Sequence, residues 1–477
     1  MKRSLGVDIA FHLKVMFWVA LWVPSDSNIA KFLYGIFTLF TGAMVCGFLL
    51  SQLLNIALGH FNLILFVHSL ATIAPCVKVL LILIKFTFTK EDVENLIKNF
   101  NTLRSNWRSS SETENKILDS AEKESRLMTN GLLSGYVILM IFMSVKPLVF
   151  QDTYMNNTNL TDIHPERSFV VLSWYPWDTR STTMYAVTYI SQIYALYVVI
   201  IQVAVFQTFN TAILIHIAAE FKLIYQKFTS ILNQNTYNHA EESKNIFSHA
   251  SNSTCDVKRS QNKNTIRKRR CEIRKGIRSE IKSKNHVKEG GEKPYSEYAN
   301  DSGSNIFSIN YDKPENEAYE RLIEIVKHHQ NVLRFCEEFG TIFRSLYLFQ
   351  FSTVIFGLCF SCFLASLPSV DSETRMQFII FTGLLMAQLL LPCWYGQRVT
   401  DQAELIRDAV YSCRWYDESA RFKKAVHIII MVCQRPISFS IGGFAAISRE
   451  TWLSLINFTY SILAVLRHMD VDKFAEN

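Results

Sequence analysis

Few residues in this chain stand in arrangements that support covalent chemistry. Cys359 and Cys362 form a Cys-X-X-Cys pair, the spacing of redox and zinc sites, but they lie inside an apolar run and no second pair accompanies them. Packing is therefore the expected role of these thiols. His328 and His329 are the only adjacent histidines. Neighbours on a helix point in different directions, so the two are not expected to share a metal. No Gly-X-Ser-X-Gly, phosphate-cradling glycine loop or His-Glu-X-X-His occurs in a suitable context. The residues thus point away from an enzyme and imply no cofactor and no metal. Asn156 and Asn159 each open an Asn-X-Thr sequon and are candidate glycosylation sites. What remains is non-covalent recognition, and that depends on the elements that hold the apolar residues.

Those elements read as membrane helices. Of 477 residues, 49% are hydrophobic and 13% aromatic, and mean hydropathy is +0.11 despite a long polar middle. The apolar residues gather in blocks of the length needed to cross a hydrocarbon core of about 30 Å. The blocks fall at 29–57, 61–88, 127–149, 183–232, 346–365, 374–395 and 440–466. The opening residues, interrupted by Asp8, His12 and Lys14, do not read as a cleavable signal. Phe17, Trp18, Leu21 and Trp22 suit a short helix at the headgroup boundary instead. Residues 90–126 carry apolar positions at helical spacing and read as an amphipathic extension of the second span. The patterns of 183–232 and 317–365 are too long for one crossing at about 1.5 Å per residue, so both are expected to project beyond the membrane.

Charge sets the orientation. Lys and Arg concentrate in 1–28, 89–126, 222–345 and 396–436 and are sparse in 58–60, 151–182, 366–373 and the tail. These sets alternate if the N-terminus is cytoplasmic and seven spans leave the C-terminus, 468–477, outside. The expected fold is therefore an all-α membrane protein with seven transmembrane helices and long cytoplasmic extensions. The extracellular loop 151–182 carries both sequons, and Trp174, Pro176 and Trp177 suggest that it folds back onto the outer face. Residues 233–313 are rich in Ser, Asn and Lys, lack apolar periodicity, and read as a disordered basic insertion. Its setting between membrane helices argues against a nucleic-acid partner and for solvent or anionic membrane lipids.

Residues 393–467 carry a more specific pattern. It comprises Cys393, Gly396, Gln402, Ala409-Val410-Tyr411, Trp415-Tyr416, Lys423-Lys424, Gln434-Arg435-Pro436, Gly442-Gly443-Phe444 and Thr459-Tyr460-Ser461. This run, on seven spans with a cytoplasmic N-terminus, resembles the insect odorant receptors. The ending 460–467 looks like that of a ligand-tuning subunit, and the last span lacks the residues typical of the co-receptor. The resemblance implies an odorant-gated, nonselective cation channel, with the chain joined to a co-receptor subunit in a heterotetramer at the plasma membrane of olfactory sensory neurons. It places cytoplasmic anchor helices in 400–439, with Trp415 and Tyr416 at the anchor, and makes 440–467 the pore-lining span. Ile462, Leu463 and Leu466 are then gate candidates, closing a pore by dewetting; packing against neighbouring spans is the alternative.

The ligand implied is small, volatile and apolar, and its pocket needs aromatic and aliphatic walls with few polar groups. Candidates on the outer halves of the spans are Phe66, Leu70, Met140, Met143, Ser144, Tyr185, Tyr189, Gln192, Phe378, Phe381 and Thr382. Each is equally a position for helix packing or lipid contact. A gustatory-type receptor channel working without a co-receptor and a membrane transporter are the competing functions. The last span speaks against the first, and the lack of internal repeats or intramembrane acidic residues against the second.

Overall fold

The computed structural model describes residues 7–22, 28–58, 63–106, 112–149, 169–255 apart from 172 and 180, 312–413 apart from 369 and 371, and 415–468. Asn156, Asn159 and most of the basic insertion lie outside the described residues. Ten α-helices are described: α1 Val7–Trp18, α2 Asn28–Leu58, α3 Leu63–Phe88, α4 Lys90–Asn106, α5 Glu112–Val149, α6 Thr182–Cys255, α7 Asp312–Ser366, α8 Ser372–Ser412, α9 Ala420–Cys433 and α10 Arg449–His468. A 3-10 turn spans Trp415–Asp417, and β1 Ser440–Ile441 pairs antiparallel with β2 Ala445–Ala446. Residues 230–319 form a separate unit, described only at its helical ends.

Among the described residues six helices are long and apolar enough to cross a membrane: α2, α3, α5, α6, α7 and α8. In lipid a helix satisfies its own backbone polar groups, which is why long apolar sequence resolves into this form. α2 shows the outcome on its free face, where Ile29, Phe32 and Leu39 are exposed. This is a multi-pass membrane protein. α10 is 20 residues long and less apolar, opening with Arg449 and Glu450. It begins at Arg449 rather than near residue 440, because β1 and β2 occupy the start of the segment read as the last span.

α6 is the central post. Residues 198–221 are all buried, Gln202, Gln207, Asn210, His216 and Glu220 included. Aromatic contacts tie the post to its neighbours: Phe206 meets Phe86 of α3 at 6.4 Å and Phe343 of α7 at 6.1 Å between ring centroids. Phe339 continues the cluster, 4.7 Å from Phe343 and 5.3 Å from Phe439 before β1.

The end of α1 and the turn after it pack inward: Met16, Val19 and Leu21 are buried and Gln202 of α6 donates to the Val19 carbonyl at 2.5 Å. Tyr34 of α2 holds the turn after α1, its hydroxyl donating to the Phe17 carbonyl at 3.2 Å and accepting from Trp22 N–H at 2.9 Å. The amphipathic stretch 90–126 is two elements rather than one. α4 continues α3, whereas Lys116, Lys123 and Arg126 belong to α5, whose first turn carries Glu112 and Glu114, the charge that suits a helix N-terminus. α6 runs on to Cys255, well past residue 233; that stretch has neither Gly nor Pro to stop it. The described part of the 151–182 loop does fold back, with Trp174 N–H donating to the Ser51 carbonyl at 3.0 Å and Trp177 Nε1 to Thr188 Oγ1 at 2.9 Å.

Beyond the apolar spans the polar helix halves are pinned by ion pairs. Arg104 of α4 meets Glu122 of α5 at 2.9 Å. Arg398 of α8 reaches Glu124 of α5 at 2.6 Å, and the Tyr395 hydroxyl donates to the same carboxylate at 3.0 Å. His328 and His329 are not on a solvated helix face, as the polar sequence around them suggests. His328 is fully buried with Nε2 3.1 Å from Glu220, and His329 is buried with its ring against Phe221.

Two predictions follow from this packing. Burial, helped by the neighbouring His328, lowers the His329 pKa from 6.5 to about 4. The fold therefore favours neutral His329, and its contribution is complete above pH 6.5 and lost as pH falls through 4. Thermal melts of detergent-solubilised protein should show stability falling across that window, and His329→Gln should flatten the slope. The second concerns the β1–β2 turn, where Gly442 and Gly443 have φ of +61° and +88°, values that side-chain-bearing residues rarely adopt. The Gly442 N–H donates to the Arg344 carbonyl of α7 at 3.1 Å, and a Cβ on Gly443 would overlap the Arg344 guanidinium. Gly443→Val should lower stability by about 1–3 kcal/mol, seen as an earlier melting transition.

Candidate functional site

A cavity lies among α3, α5, α6, α7 and α8. α3 contributes Ala71, Thr72, Ala74, Pro75, Cys76 and Lys78; α5 contributes Tyr136, Leu139 and Met143. From α6 come Leu196, Val199, Ile200 and Val203, from α7 Thr353, Val354 and Gly357, and from α8 Gln377, Phe378, Phe381, Leu385 and Gln388. Phe48 of α2 and Val171 of the folded-back loop complete it. About 80 Å³ is open to the centre of a water-sized sphere, several times the ~10–15 Å³ that one water requires. The space has room for more than one water molecule.

Local sequence explains why the helices leave a gap here. Pro75 lies inside α3 and cannot donate to the carbonyl four residues back, which locally loosens the helix. Ala71 and Ala74 present little side chain on the same wall. Gly357 brings α7 close to α8: a Cβ there would sit 3.0 Å from Leu385 Cδ1.

Polar groups gather on one wall. Lys78, only 3% exposed, donates from Nζ to Gln388 Oε1 at 2.8 Å. Behind it Gln350 Nε2 donates to Gln207 Oε1 at 2.6 Å and to the Gln388 carbonyl at 3.2 Å, joining α6, α7 and α8. The Tyr136 hydroxyl lies beside Gln388 without a well-formed hydrogen bond. Thr72 donates to Gln52 Oε1 at 2.6 Å. Most of the remaining surface is aliphatic or aromatic, with Thr353 and Gln377 as further neutral polar groups, so the cavity can hold an apolar body and orient it by a polar end.

Met143, Phe378 and Phe381 are the sequence candidates that line this cavity. The others sit nearby in different roles. Phe66 packs on a cluster built from Val67, Ala71, Phe363, Leu364, Leu367, Val370 and Phe378. Tyr185 stacks on Tyr189 at 5.8 Å, and the Tyr189 hydroxyl donates to the Ser144 carbonyl. Gln192 Nε2 donates to the Val171 carbonyl at 3.2 Å and to the Tyr175 hydroxyl at 2.9 Å, holding the loop down. Thr382 donates to Ser361 Oγ at 2.8 Å. Leu70 and Met140 are partly buried outside the lining. Sequence reasoning passed over Lys78, Tyr136 and Gln388. The signal was present: Lys78 is an ionisable residue inside an apolar run, and such residues mark sites by default.

Towards the end of the chain, Leu463 and Leu466 pack on the Phe363–Phe378 cluster, and Ile462 is partly buried. α10 is fixed at its start by Arg449, which meets Asp401 at 3.1 Å and lies 4.8 Å over the Trp394 ring. Trp415 and Tyr416 pack edge to face at 6.2 Å, with Tyr416 exposed.

The Lys78–Gln388 bond is testable by itself. Gln388→Leu leaves the buried amine without its acceptor and should cost about 1–3 kcal/mol, read as a lowered melting temperature. Adding Lys78→Met should restore most of the loss, since the pair is then apolar on both sides.

Comparison with known proteins agrees with this architecture. Residues 62–460 match the family model of the 7tm Odorant receptor. Among curated relatives, Odorant receptor 85b of Drosophila melanogaster is 31% identical over 148 residues, covering 31% of this chain and 38% of that one. Odorant receptor 67c of the same fly is 28% identical over 151 residues, or 32% and 37% of the two chains. The similarity thus spans well under half the length of these relatives. The structure of the insect olfactory receptor OR5 from Machilis hrabei in complex with eugenol superposes with a TM-score of 0.66 at 13% identity, covering 97% of this chain and 98% of that one. A second structure of the same receptor gives 0.64. The matched proteins are receptors rather than enzymes. With the family model extending across most of its length, this chain belongs to the 7tm odorant receptor family.

Proposed function

We propose that this chain is the ligand-binding, tuning subunit of a heteromeric, odorant-gated, nonselective cation channel, acting with a co-receptor in the plasma membrane of olfactory sensory neurons. The observation that carries this reading is the cavity: mostly apolar, set among five helices, with a buried amine in its wall. A receptor of the same fold is solved in complex with eugenol, which supports a small organic ligand. In this reading α10 is the seventh crossing, the N-terminus is cytoplasmic and the C-terminus extracellular, as the Lys and Arg distribution favours. Ile462, Leu463 and Leu466 form the gate region of α10. Their packing on the cluster that includes Phe378, a residue of the cavity wall, gives a ligand a direct mechanical route to that helix. Exposed Tyr416, with Trp415, is available to a neighbouring subunit. Asn156 and Asn159 carry glycans on the extracellular loop.

Whole-cell recording tests the reading. Cells expressing this chain with a co-receptor should pass current on exposure to volatile esters, ketones, alcohols or terpenoids, and cells with either subunit alone should not show the same responses. Ala74→Phe, which fills the cavity from a half-buried position, should reduce sensitivity roughly tenfold or more at unchanged surface level. Current from this chain alone would point to a self-sufficient receptor. Unchanged sensitivity in the filled variant would place the ligand elsewhere.

A further inference from the structure

We infer that the cavity selects ligands bearing a carbonyl oxygen, a ketone or ester, which accepts a hydrogen bond from Lys78 Nζ while its hydrocarbon body lies against Met143, Phe378, Phe381 and Leu385. This rests on the reading of the cavity as the ligand site and adds the chemistry that the site recognises.

The argument starts from donor capacity. A lysine amine has three N–H groups when protonated and two when neutral. Among the described residues Nζ of Lys78 makes one hydrogen bond, to Gln388 Oε1. In either protonation state at least one donor remains, on a side chain that is 3% exposed and lines the cavity. Buried donors without acceptors are rare because each has lost its hydration without replacement. The Tyr136 hydroxyl, buried on the same wall beside Gln388, is a second under-used polar group. A ligand acceptor placed between them satisfies what the protein leaves open.

The surroundings decide which acceptor. The other polar lining groups, Thr72, Thr353, Gln377 and Gln388, are neutral. A carboxylate would have to shed its full hydration shell for one amine and one hydroxyl in an apolar chamber, a large unfavourable balance. A carbonyl surrenders about as many hydrogen bonds as this wall returns. The position also fits. Lys78 lies fifteen residues into α3 and Gln388 sixteen into α8, so both sit near ~22–24 Å along their helices, at the end of the cavity away from Phe378. The donor is therefore placed for the head of an elongated molecule.

The test uses the full chain in lipid nanodiscs, with N-phenyl-1-naphthylamine as a fluorescent apolar probe and competition by 2-octanone and its hydrocarbon isostere 2-methyl-1-octene. Wild type should favour the ketone by about tenfold, the worth of one buried hydrogen bond. Lys78→Met should abolish that preference while leaving competition by the alkene within about twofold. Lys78→Gln, which keeps an N–H donor, should retain part of it and guards against a folding defect in the Met variant. Ligand partition into lipid is common to all variants, so the ratio between them isolates the protein. Equal preference in wild type, or an undiminished ketone preference in Lys78→Met, overturns the inference and leaves the cavity reading intact. Octanoate competing better than 2-octanone also overturns it, in favour of an acid ligand. Displacement of the probe by none of the three would remove the cavity as the ligand site and this inference with it.

Discussion

The arrangement depends on α6 being buried on every side. A helix that places 24 consecutive residues, 198–221, away from both lipid and solvent must be surrounded by other helices, and those helices then share it as a common wall. Polar side chains on such a post have only protein to satisfy them. Gln202 turns to the end of α1, Gln207 to Gln350, and Glu220 to His328. The first contact holds the chain just after α1, and the other two hold α7 at two heights, so the polar residues of the post help set where those elements lie.

The cavity follows from the same constraint. Helices crowded around one post pack fully only where their side chains are large enough. Where α3 offers Ala71, Ala74 and Pro75 the wall recedes and a space remains, while Gly357 lets α7 close on α8 beside it. α8 closes it with Phe378, Phe381, Leu385 and Gln388. Because Phe378 also belongs to the cluster under Leu463 and Leu466, the wall that meets an occupant is continuous with the wall that supports α10. Coupling through packed side chains of this kind requires only that the cluster has two arrangements of similar energy.

The polar ends of the long helices solve a separate problem. Outside lipid the helix halves carry many charged residues, and those that pack against a neighbour need a partner of opposite sign. Buried or half-buried ion pairs, Arg104 with Glu122 and Arg398 with Glu124, register α4, α5 and α8 against each other there. The β1–β2 turn adds a backbone hydrogen bond to Arg344 of α7 and packs Gly442 closely against the Leu348 side chain, fixing where α10 starts.

Much of this was legible from residue order alone. Long apolar blocks in a membrane leave helices as the available form, so the positions of α2, α3, α5, α6, α7 and α8, the excess length of α6 and α7, and the C-terminal pattern of the family could all be read directly. Tertiary structure alone decided the rest. A hydropathy profile has no direction around the helix axis, so it does not say that α1 turns inward, that α6 is the post, or that His328 and His329 are buried. Periodicity also started the last span too early, near 440 rather than at Arg449, because two glycines with positive φ make a turn that no apolar count records. Met143, Phe378 and Phe381 were accessible as large apolar residues at suitable depth. Lys78, Tyr136 and Gln388 acquire meaning only when α3, α5 and α8 meet, since a polar residue in a span is a site or a liability according to what stands opposite it.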